Sequence, residues 1–205
     1  MSVSLVKPTE VPVDGRQSQT ALKVARGTAR LLHAHGFCVV SELPLASGRR
    51  ADLVALGADG EIWIVEIKSS VADFRADQKW MDYRLHCDRL FFATTVEVPC
   101  EIFPPGTGLI VADAFGAQIV CEAPEHKLHA STRKSMMLAF ARAAALRLAA
   151  LADPEGPYGA ELVREAPAHR LHASTRKSVM LAFARAAAVR LQSLADPQGP
   201  YESEI

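Results

Sequence analysis

Residues 49–68 read RRADLVALGADGEIWIVEIK, and this stretch decides the fold. Two apolar runs, 53–56 and 62–65, lie on either side of Gly57-Ala58-Asp59-Gly60, a turn whose residues tolerate positive φ. Short apolar runs that flank such a turn predict a β-hairpin. The stretch therefore supplies two neighbouring antiparallel strands, around which the rest of the chain is arranged.

Further strands are predicted on both sides of this hairpin. FCVVSELPL (37–45) precedes it, RLFFATT (89–95) follows it, and GLIVADA (108–114) with GAQIVCE (116–122) predicts a second hairpin. These runs are short, apolar and rich in β-branched or aromatic residues, as strands are.

Helical patterns lie before, between and after the strands. Ser18 is predicted to cap a first helix that ends at Gly36, and a second helix is predicted from about Val71 to Cys87. The order helix, three strands, helix, three strands, helix predicts an α/β fold with a mixed sheet flanked by helices.

Length and composition favour one ordinary globular domain with an appendage. The 205 residues are 49% hydrophobic and 22% charged, with 23 basic and 23 acidic side chains. A balanced charge gives no overall attraction to nucleic acid, so any such partner must be held by a local patch. Four separated cysteines, no secretory signal and no apolar run long enough for a membrane span predict a cytoplasmic protein without a membrane partner.

The C-terminal part of the chain contains a near-identical duplication. Residues 122–158 align with 165–201, and each copy predicts one helix with Ser131 or Ser174 as its N-cap. Over these 37 positions the copies differ at seven, so 30 are identical; the seven are 125, 127, 136, 146, 149, 150 and 155.

The sequence thus divides into a flexible leader over 1–17, a domain over 18–158 and a duplicate helical segment over 159–205. Two copies are too few for a repeat solenoid. The first copy is expected to pack on the sheet, and the second to be surplus to the core. Its apolar face would then need cover from another subunit, and a homodimer through the duplicated helix is the resulting hypothesis.

Three ionisable residues interrupt the predicted hairpin strands. Asp52 lies near the start of one strand, whereas Glu66 and Lys68 interrupt the apolar run of the next. Residues two apart on a strand point the same way, and the hairpin brings Asp52 beside the other two. The alternative is a structural ion pair, but a buried pair is seldom an efficient stabiliser and a third charge makes it worse. The pattern favours a functional site with these three as catalytic residues.

Two neighbouring carboxylates repel each other unless a cation lies between them. Oxygen ligands with open positions suit Mg²⁺, or Mn²⁺ in its place, because Mg²⁺ takes one or two carboxylates and fills its shell with water and substrate phosphate. Asp52 and Glu66 are the predicted ligands, with the carbonyl of Ile67 as an additional one. Glu42 is a candidate extra acid, and a surface carboxylate at a strand end is its equally weighted alternative. Lys68 would orient the attacking water or stabilise negative charge on the phosphate.

Basic residues near the trio are candidates for phosphate or DNA contacts. Arg49 and Arg50 are suited to grip a phosphate, with solvated turn residues as the alternative. On the predicted second helix Lys79 and Tyr83 are one turn apart and share a face. Trp80 beside them is assigned to the core rather than to base stacking.

The spacing of Asp52 and Glu66-Ile67-Lys68 resembles the PD-(D/E)xK nuclease signature, with Ala51 where the leading proline would stand. More narrowly, GRRADLVAL, GEIWIVEIKSSVADFRADQKWMDY, CDRLFFA and TGLIVADAFGAQIV closely resemble the MmcB-like DNA-repair proteins of bacteria, over roughly residues 20–150. This resemblance implies a PD-(D/E)xK, restriction-endonuclease-like fold and a role in the DNA damage response, and it leaves the reaction open.

The leading hypothesis is a metal-dependent DNA nuclease that acts in repair. One alternative is a non-catalytic module of the same fold that binds DNA or a repair partner, and another is a nuclease directed at RNA. The segment from Arg49 to Arg89 contains seven basic and eight acidic residues. Weak, metal-dependent binding is therefore expected, since a bound cation would reverse the local charge.

Overall fold

The computed structural model describes residues 18–76, 80–155 and 172–200. Six strands form one sheet in the order β1-β2-β3-β4-β5-β6. The pairs β3–β4 and β4–β5 are parallel, and the other neighbouring pairs are antiparallel. The strands are β1 (Cys38–Pro44), β2 (Arg50–Leu56), β3 (Ile62–Ile67), β4 (Arg89–Thr94), β5 (Gly108–Ala112) and β6 (Ala117–Cys121). The predicted mixed sheet and both hairpins are confirmed.

Helices cover both faces of this sheet. They are α1 (Gln19–Ala34), α2 (Val71–Ala76), α3 (Ala130–Ala152) and α4 (Ala173–Ala195), with 3₁₀ helices at Trp80–His86 and Cys100–Ile102. The Ser18 hydroxyl accepts a hydrogen bond from the Ala21 N–H at 3.1 Å, so the predicted cap of α1 is confirmed. The predicted leader over 1–17 lies outside the described residues.

Alternation along β3 sorts the core into two layers. Trp63 and Val65 face the layer that includes α1, where Trp63 contacts the rings of Phe37 and Phe91. Ile62 and Ile64 face the other layer, which includes residues of α3 and α4. The face a residue of β3 occupies therefore decides which helices it meets.

The second predicted helix is wrong in its second half. The short helix α2 ends the first described part at Ala76, residues 77–79 lie outside the described residues, and Trp80–His86 is a 3₁₀ helix in place of the predicted α-helix. Phe74 and Trp80 both contact the ring of Phe92, with centroids 5.5 and 6.0 Å away. Residues six apart on a continuous α-helix point about 120° apart and lie about 9 Å apart along its axis, so one ring is a poor common partner for both. Packing against Phe92 therefore favours the 3₁₀ geometry that begins at Trp80.

The predicted N-caps of the duplicated helices are also wrong. α3 begins at Ala130 with His129 as its N-cap, and α4 begins at Ala173 with His172, so both serines lie in the first turn. At the start of α3, Asp88 accepts hydrogen bonds from the Leu128 N–H at 3.0 Å and from the guanidinium of Arg133 at 2.7 Å. These bonds fix the entry of the chain into the helix.

The second copy is not surplus to the core, contrary to expectation. α4 packs against α3 and β1, and its Ala184, Ala187 and Ala188 are buried. Gln192 accepts a hydrogen bond from the Val39 N–H at 3.2 Å, on the edge strand of the sheet. The alanines of α4 are thus covered within the chain, whereas Phe183 is 55% exposed, and the homodimer stays a prediction.

Within the described ranges, α3 is the one helix long and apolar enough to cross a membrane by length and composition. This is contrary to the expectation that no apolar run is long enough. Core helices of soluble proteins pass the same test, and Met136, Met137 and Phe140 of α3 are buried in the layer it shares with the sheet. The cytoplasmic location stays a prediction.

Candidate functional site

Three acidic residues lie in one row across β1, β2 and β3. Leu53 pairs with Val65, which leaves Asp52 opposite Glu66 one position further along. On the other side, Ser41 pairs with Leu53 and Leu43 pairs with Ala51, which leaves Glu42 opposite Asp52. The register thus brings Glu42, Asp52 and Glu66 to neighbouring positions on three adjacent strands.

The β2–β3 ladder opens at Asp52, and carboxylates take the place of backbone acceptors there. The Asp52 N–H donates to Glu66 Oε1 at 3.3 Å, and the Ile67 N–H donates to Asp52 Oδ2 at 2.8 Å. Each carboxyl group is therefore held by the neighbouring strand through a backbone N–H. Such bonds orient the two acids more firmly than the strand positions alone would.

Asp52, Glu66 and Lys68 lie close together. Glu66 is on the face of β3 that also bears Ile64, in the layer that includes α3 and α4, and Lys68 follows two positions later. The Asp52 N–H donates to Glu66 Oε1, and the charge of Lys68 acts on Asp52. The predicted convergence of the trio is therefore met by the strand geometry. Its catalytic and metal-binding roles stay predictions.

Lys68 is anchored to β4 just beyond the end of β3. Its N–H donates to the Ala93 carbonyl at 2.8 Å, and its own carbonyl accepts from the Thr94 hydroxyl at 2.6 Å. The residue is only 4% exposed. These two hydrogen bonds to β4 fix the backbone of Lys68, and they therefore fix the point from which its side chain extends.

Burial raises the pKa of Asp52 from 3.8 to about 6. The carboxylates of Glu42 and Asp73 raise this pKa further, whereas the hydrogen bond from Ile67 and the charge of Lys68 lower it. A raised pKa at clustered acids is a common property of functional sites. Asp52 is half-buried, while Glu42 and Glu66 are buried, so solvent reaches the row at its middle member.

Glu42 has an unusual backbone and two basic neighbours. Its φ is +50°, in the left-handed region that side chains rarely adopt. Its carboxylate forms an ion pair with Arg50, and its carbonyl accepts from Arg147 on α3 at 3.0 Å. No motif or spacing in the sequence points to Arg147, which lies 105 positions from Glu42.

Asp73 on α2 is a further acid whose charge acts on Asp52, and it is not among the predicted site residues. Its carboxylate accepts from the N–H of Ser69 at 2.9 Å and from the Ser69 hydroxyl at 3.2 Å. Because Ser69 directly follows Lys68, these bonds hold α2 next to Lys68. The sequence offered a weak signal for it, an acidic residue soon after the ExK strand.

The predicted phosphate contacts fall into different surroundings. Arg49 donates to Asp82 at 2.8 and 2.9 Å, and Arg50 pairs with Glu42. Tyr83 is buried and donates its hydroxyl to the Arg50 carbonyl at 3.2 Å, which favours a role in holding β2. Lys79 lies outside the described residues. All four stay predictions as DNA contacts.

The donor atoms of the row are compatible with a hard cation. Asp52, Glu66 and Glu42 offer carboxylate oxygens, the ligand type that Mg²⁺ and Mn²⁺ prefer. Among residues 18–76, 80–155 and 172–200, no group of three or more His, Cys, Asp or Glu side chains converges closely enough to hold a metal ion. A site of one or two carboxylates, completed by water and phosphate, remains compatible with this arrangement.

Comparison with known proteins identifies relatives of the chain. The family model described as "DNA repair protein MmcB-like" matches residues 9–155 and again 155–198. A solved structure, the SPO1766 protein of unknown function from Silicibacter pomeroyi, is 48% identical, with a TM-score of 0.66. The match covers 99% of that chain and 72% of this one, so part of this chain has no counterpart there. No curated protein matches the sequence.

Proposed function

The chain belongs to the MmcB-like family of DNA repair proteins, and we propose that it hydrolyses phosphodiester bonds in DNA. Asp52 and Glu66 would bind Mg²⁺ or Mn²⁺, and Lys68 would be the third catalytic residue. The proposal places the fold in the PD-(D/E)xK nuclease class. The observation that carries it is the row of carboxylates at the opened end of the β2–β3 ladder, with Lys68 close by.

The side chains would divide the reaction between them. Asp52 and Glu66 would hold the cation, which when bound supplies charge to polarise the scissile phosphate and lower the pKa of a water. Lys68, whose backbone is fixed by β4, would place its amine where negative charge develops on the phosphate oxygens. The raised pKa of Asp52 shows that its negative charge is destabilised by burial and by neighbouring carboxylates, and a cation beside it would offset that cost.

A DNA phosphate could bind Arg49 or Arg50 only by displacing the carboxylate with which each arginine is already paired. Arg50 is exposed and pairs with Glu42, and Arg49 pairs with Asp82. A phosphate that approaches either guanidinium competes with a carboxylate already there. Binding is therefore expected to be weak and salt-sensitive, with a cation required to offset the acidic row.

The test is cleavage of supercoiled plasmid, linear duplex and single-stranded DNA by the full chain with Mg²⁺ or Mn²⁺. Lys68→Ala, Asp52→Asn and Glu66→Gln are each expected to abolish cleavage, whereas Lys134→Ala, at an exposed site on α3, should leave it unchanged. Cleavage that survives Lys68→Ala would contradict the assignment. An RNA of the same sequence separates a DNA nuclease from an RNA-directed one.

A second candidate function is a non-catalytic module that binds DNA or a repair partner. It is favoured by the hydrogen bonds that already engage Asp52 Oδ2 and Glu66 Oε1, and by the lack of a three-ligand group in the described ranges. DNA binding by the pure protein, without cleavage under any metal condition, would support this candidate. The same result would rule out the nuclease.

A further inference from the structure

An arginine, a phenylalanine and a second arginine recur at intervals of seven in both copies of the duplicated helix. They are Arg133, Phe140 and Arg147 in α3, and Arg176, Phe183 and Arg190 in α4. Seven residues are close to two turns of an α-helix, so each set lies along one line of its helix at intervals of about 10.5 Å. We call the set in α4 the Arg-Phe-Arg line.

In α3 all three side chains are used inside the chain. Arg133 donates to both carboxylate oxygens of Asp88 at 2.7 Å. Phe140 is 1% exposed, and Arg147 is buried where its guanidinium binds two carbonyls of β1. In the first copy this line therefore fixes the helix to the sheet.

In α4 the same line faces solvent. Arg176 and Arg190 are exposed, and Phe183 is 55% exposed. The buried side chains of α4 include Ala184 and Gln192, which point roughly 100° or more away from the line. The two copies thus pack through different faces, and α4 presents to solvent the residues that α3 keeps inside.

The charge of α4 has one sign. The helix contains four basic residues and no acidic one. Arg185 is used within the chain, where it donates to the Gly36 carbonyl at 3.3 Å. The other three are exposed, namely Arg176, Lys177 and Arg190. A chain with no net charge therefore has a local basic surface at α4, which is the feature that a polyanionic partner requires.

The side chains beside the line are apolar. Val179 and Leu194 are 56% and 58% exposed and lie on the same face as Phe183. An exposed aromatic ring between guanidinium groups suits unpaired nucleotides, because each nucleotide offers a phosphate to a cation and a base face to a ring. A duplex keeps its base faces inside its own stack, so a single strand matches this surface better.

We propose that the Arg-Phe-Arg line of α4 is a docking surface for single-stranded DNA, in which the two arginines bind phosphates and Phe183 stacks on a base. The proposal rests on the proposed function, since it assigns further contacts to the same substrate class. α4 packs along β1, the strand that bears Glu42, so DNA on this helix is held beside the strand of the acidic row. A phosphate approaches α4 without a cation, whereas the acidic row requires one.

The experiment measures binding of fluorescent oligo-dT to the full chain by anisotropy, in EDTA, at a series of KCl concentrations. Arg176→Gln with Arg190→Gln should weaken binding by roughly 10- to 100-fold at low salt and make the slope of log K against log salt shallower by about 1.4, as two lost phosphate contacts on a single strand do. Phe183→Ala should weaken binding by about 5- to 150-fold, the effect of one lost base stack, and leave the affinity for blunt duplex unchanged.

The matched control is Lys23→Gln with Arg26→Gln. Both residues are exposed on α1, in the layer on the other face of the sheet, and this double variant loses the same two charges. It should bind oligo-dT as the wild type does. If the double variant on α4 has a lower melting temperature, Arg190→Gln alone takes its place, with about half the change in slope.

Four results would overturn the inference. One is an equal loss of affinity in the two double variants, and another is wild-type affinity of Phe183→Ala for oligo-dT. The third is tighter binding to phosphatidylglycerol vesicles than to oligo-dT, which would identify a lipid surface. The fourth is a dimer in sedimentation velocity that Phe183→Ala dissociates without a change in DNA affinity, which would identify a second copy of the chain as the occupant.

Failure of this inference is distinguishable from failure of the proposed function. Lys68→Ala should bind oligo-dT in EDTA as the wild type does and should cleave nothing with Mg²⁺. If the wild type binds through α4 but cleaves under no metal condition, the nuclease proposal fails and the docking surface stands. If the wild type cleaves DNA and the α4 variants bind and cleave as it does, only the docking surface fails.

Discussion

Replacement of Asp52 by asparagine is expected to stabilise the metal-free protein at neutral pH. The carboxyl of Asp52 has its pKa raised from 3.8 to about 6, chiefly by burial. The unfolded chain therefore releases this proton at a lower pH than the folded chain does. Between about pH 4 and pH 6 the folded state binds more protons, so this residue makes stability fall as the pH rises. Well above pH 6 Asp52 is ionised in both states, and the full loss of stability caused by its buried charge is present.

The size of the effect follows from the same values. The rise in the pKa of Asp52 from 3.8 to about 6 corresponds to a loss of at most about 3 kcal/mol in the free energy of unfolding. Asp52 is half-buried, and screening by solvent reduces the figure, so about 1–3 kcal/mol is expected. Asparagine has nearly the same shape, and its side-chain oxygen can still accept from the Ile67 N–H.

The assay is urea unfolding of the wild type and Asp52→Asn in EDTA at pH 4, 5, 6 and 7.5. The difference in unfolding free energy should be near zero at pH 4 and favour the variant at pH 7.5. Asp88→Asn supplies a control of opposite sign: burial opposes it, but hydrogen bonds from Arg133 and two backbone N–H groups hold the pKa of Asp88 below its usual value. Its removal should therefore destabilise at neutral pH. A difference for Asp52→Asn that is flat with pH, or that favours the wild type at pH 7.5, would refute the reasoning.

Three further outcomes are expected. Gln192→Ala leaves the Val39 N–H without its acceptor and should lower the unfolding free energy by about 1–2 kcal/mol in urea titrations. Glu42→Gly should be more stable than Glu42→Ala by about 1 kcal/mol in the same assay, because only alanine bears the cost of the φ of +50°. A chain that ends at Gly159 lacks α4 and exposes the edge of β1, so gel filtration should show self-association. If the shortened chain shows no self-association, α4 is not needed to protect the edge of β1.

The strands and the trio were predictable because their signals are local. The turn Gly57–Gly60 and the flanking apolar runs give the β2–β3 hairpin, and strand alternation then assigns Glu66 and Lys68 to one face. A hairpin also fixes which residues of two strands are opposite. Asp52 was therefore placed beside Glu66 without any long-range information.

The remaining features depend on contacts between distant parts of the chain. The 3₁₀ geometry of Trp80–His86 accompanies the contact of two aromatic residues, Phe74 and Trp80, with Phe92 on β4, and sequence periodicity carries no record of that partner. The carbonyls on either side of the positive φ of Glu42 are bound by Arg147, which follows Glu42 by 105 positions. Glutamate has no intrinsic preference for the left-handed region, so nothing in VVSELPL indicates the irregularity.

The duplicated helix shows how far surroundings, rather than sequence, determine the role of a residue. The two copies are nearly identical, yet Arg147 is buried against Glu42 whereas Arg190 is exposed. At the position of Ala149 the second copy has Gln192, and this glutamine binds an N–H of the edge strand that an alanine could not bind. Unpaired edge groups promote association with other chains, and a helix over the edge is one way in which proteins prevent it. The second copy therefore has a structural role of its own, at the edge strand β1.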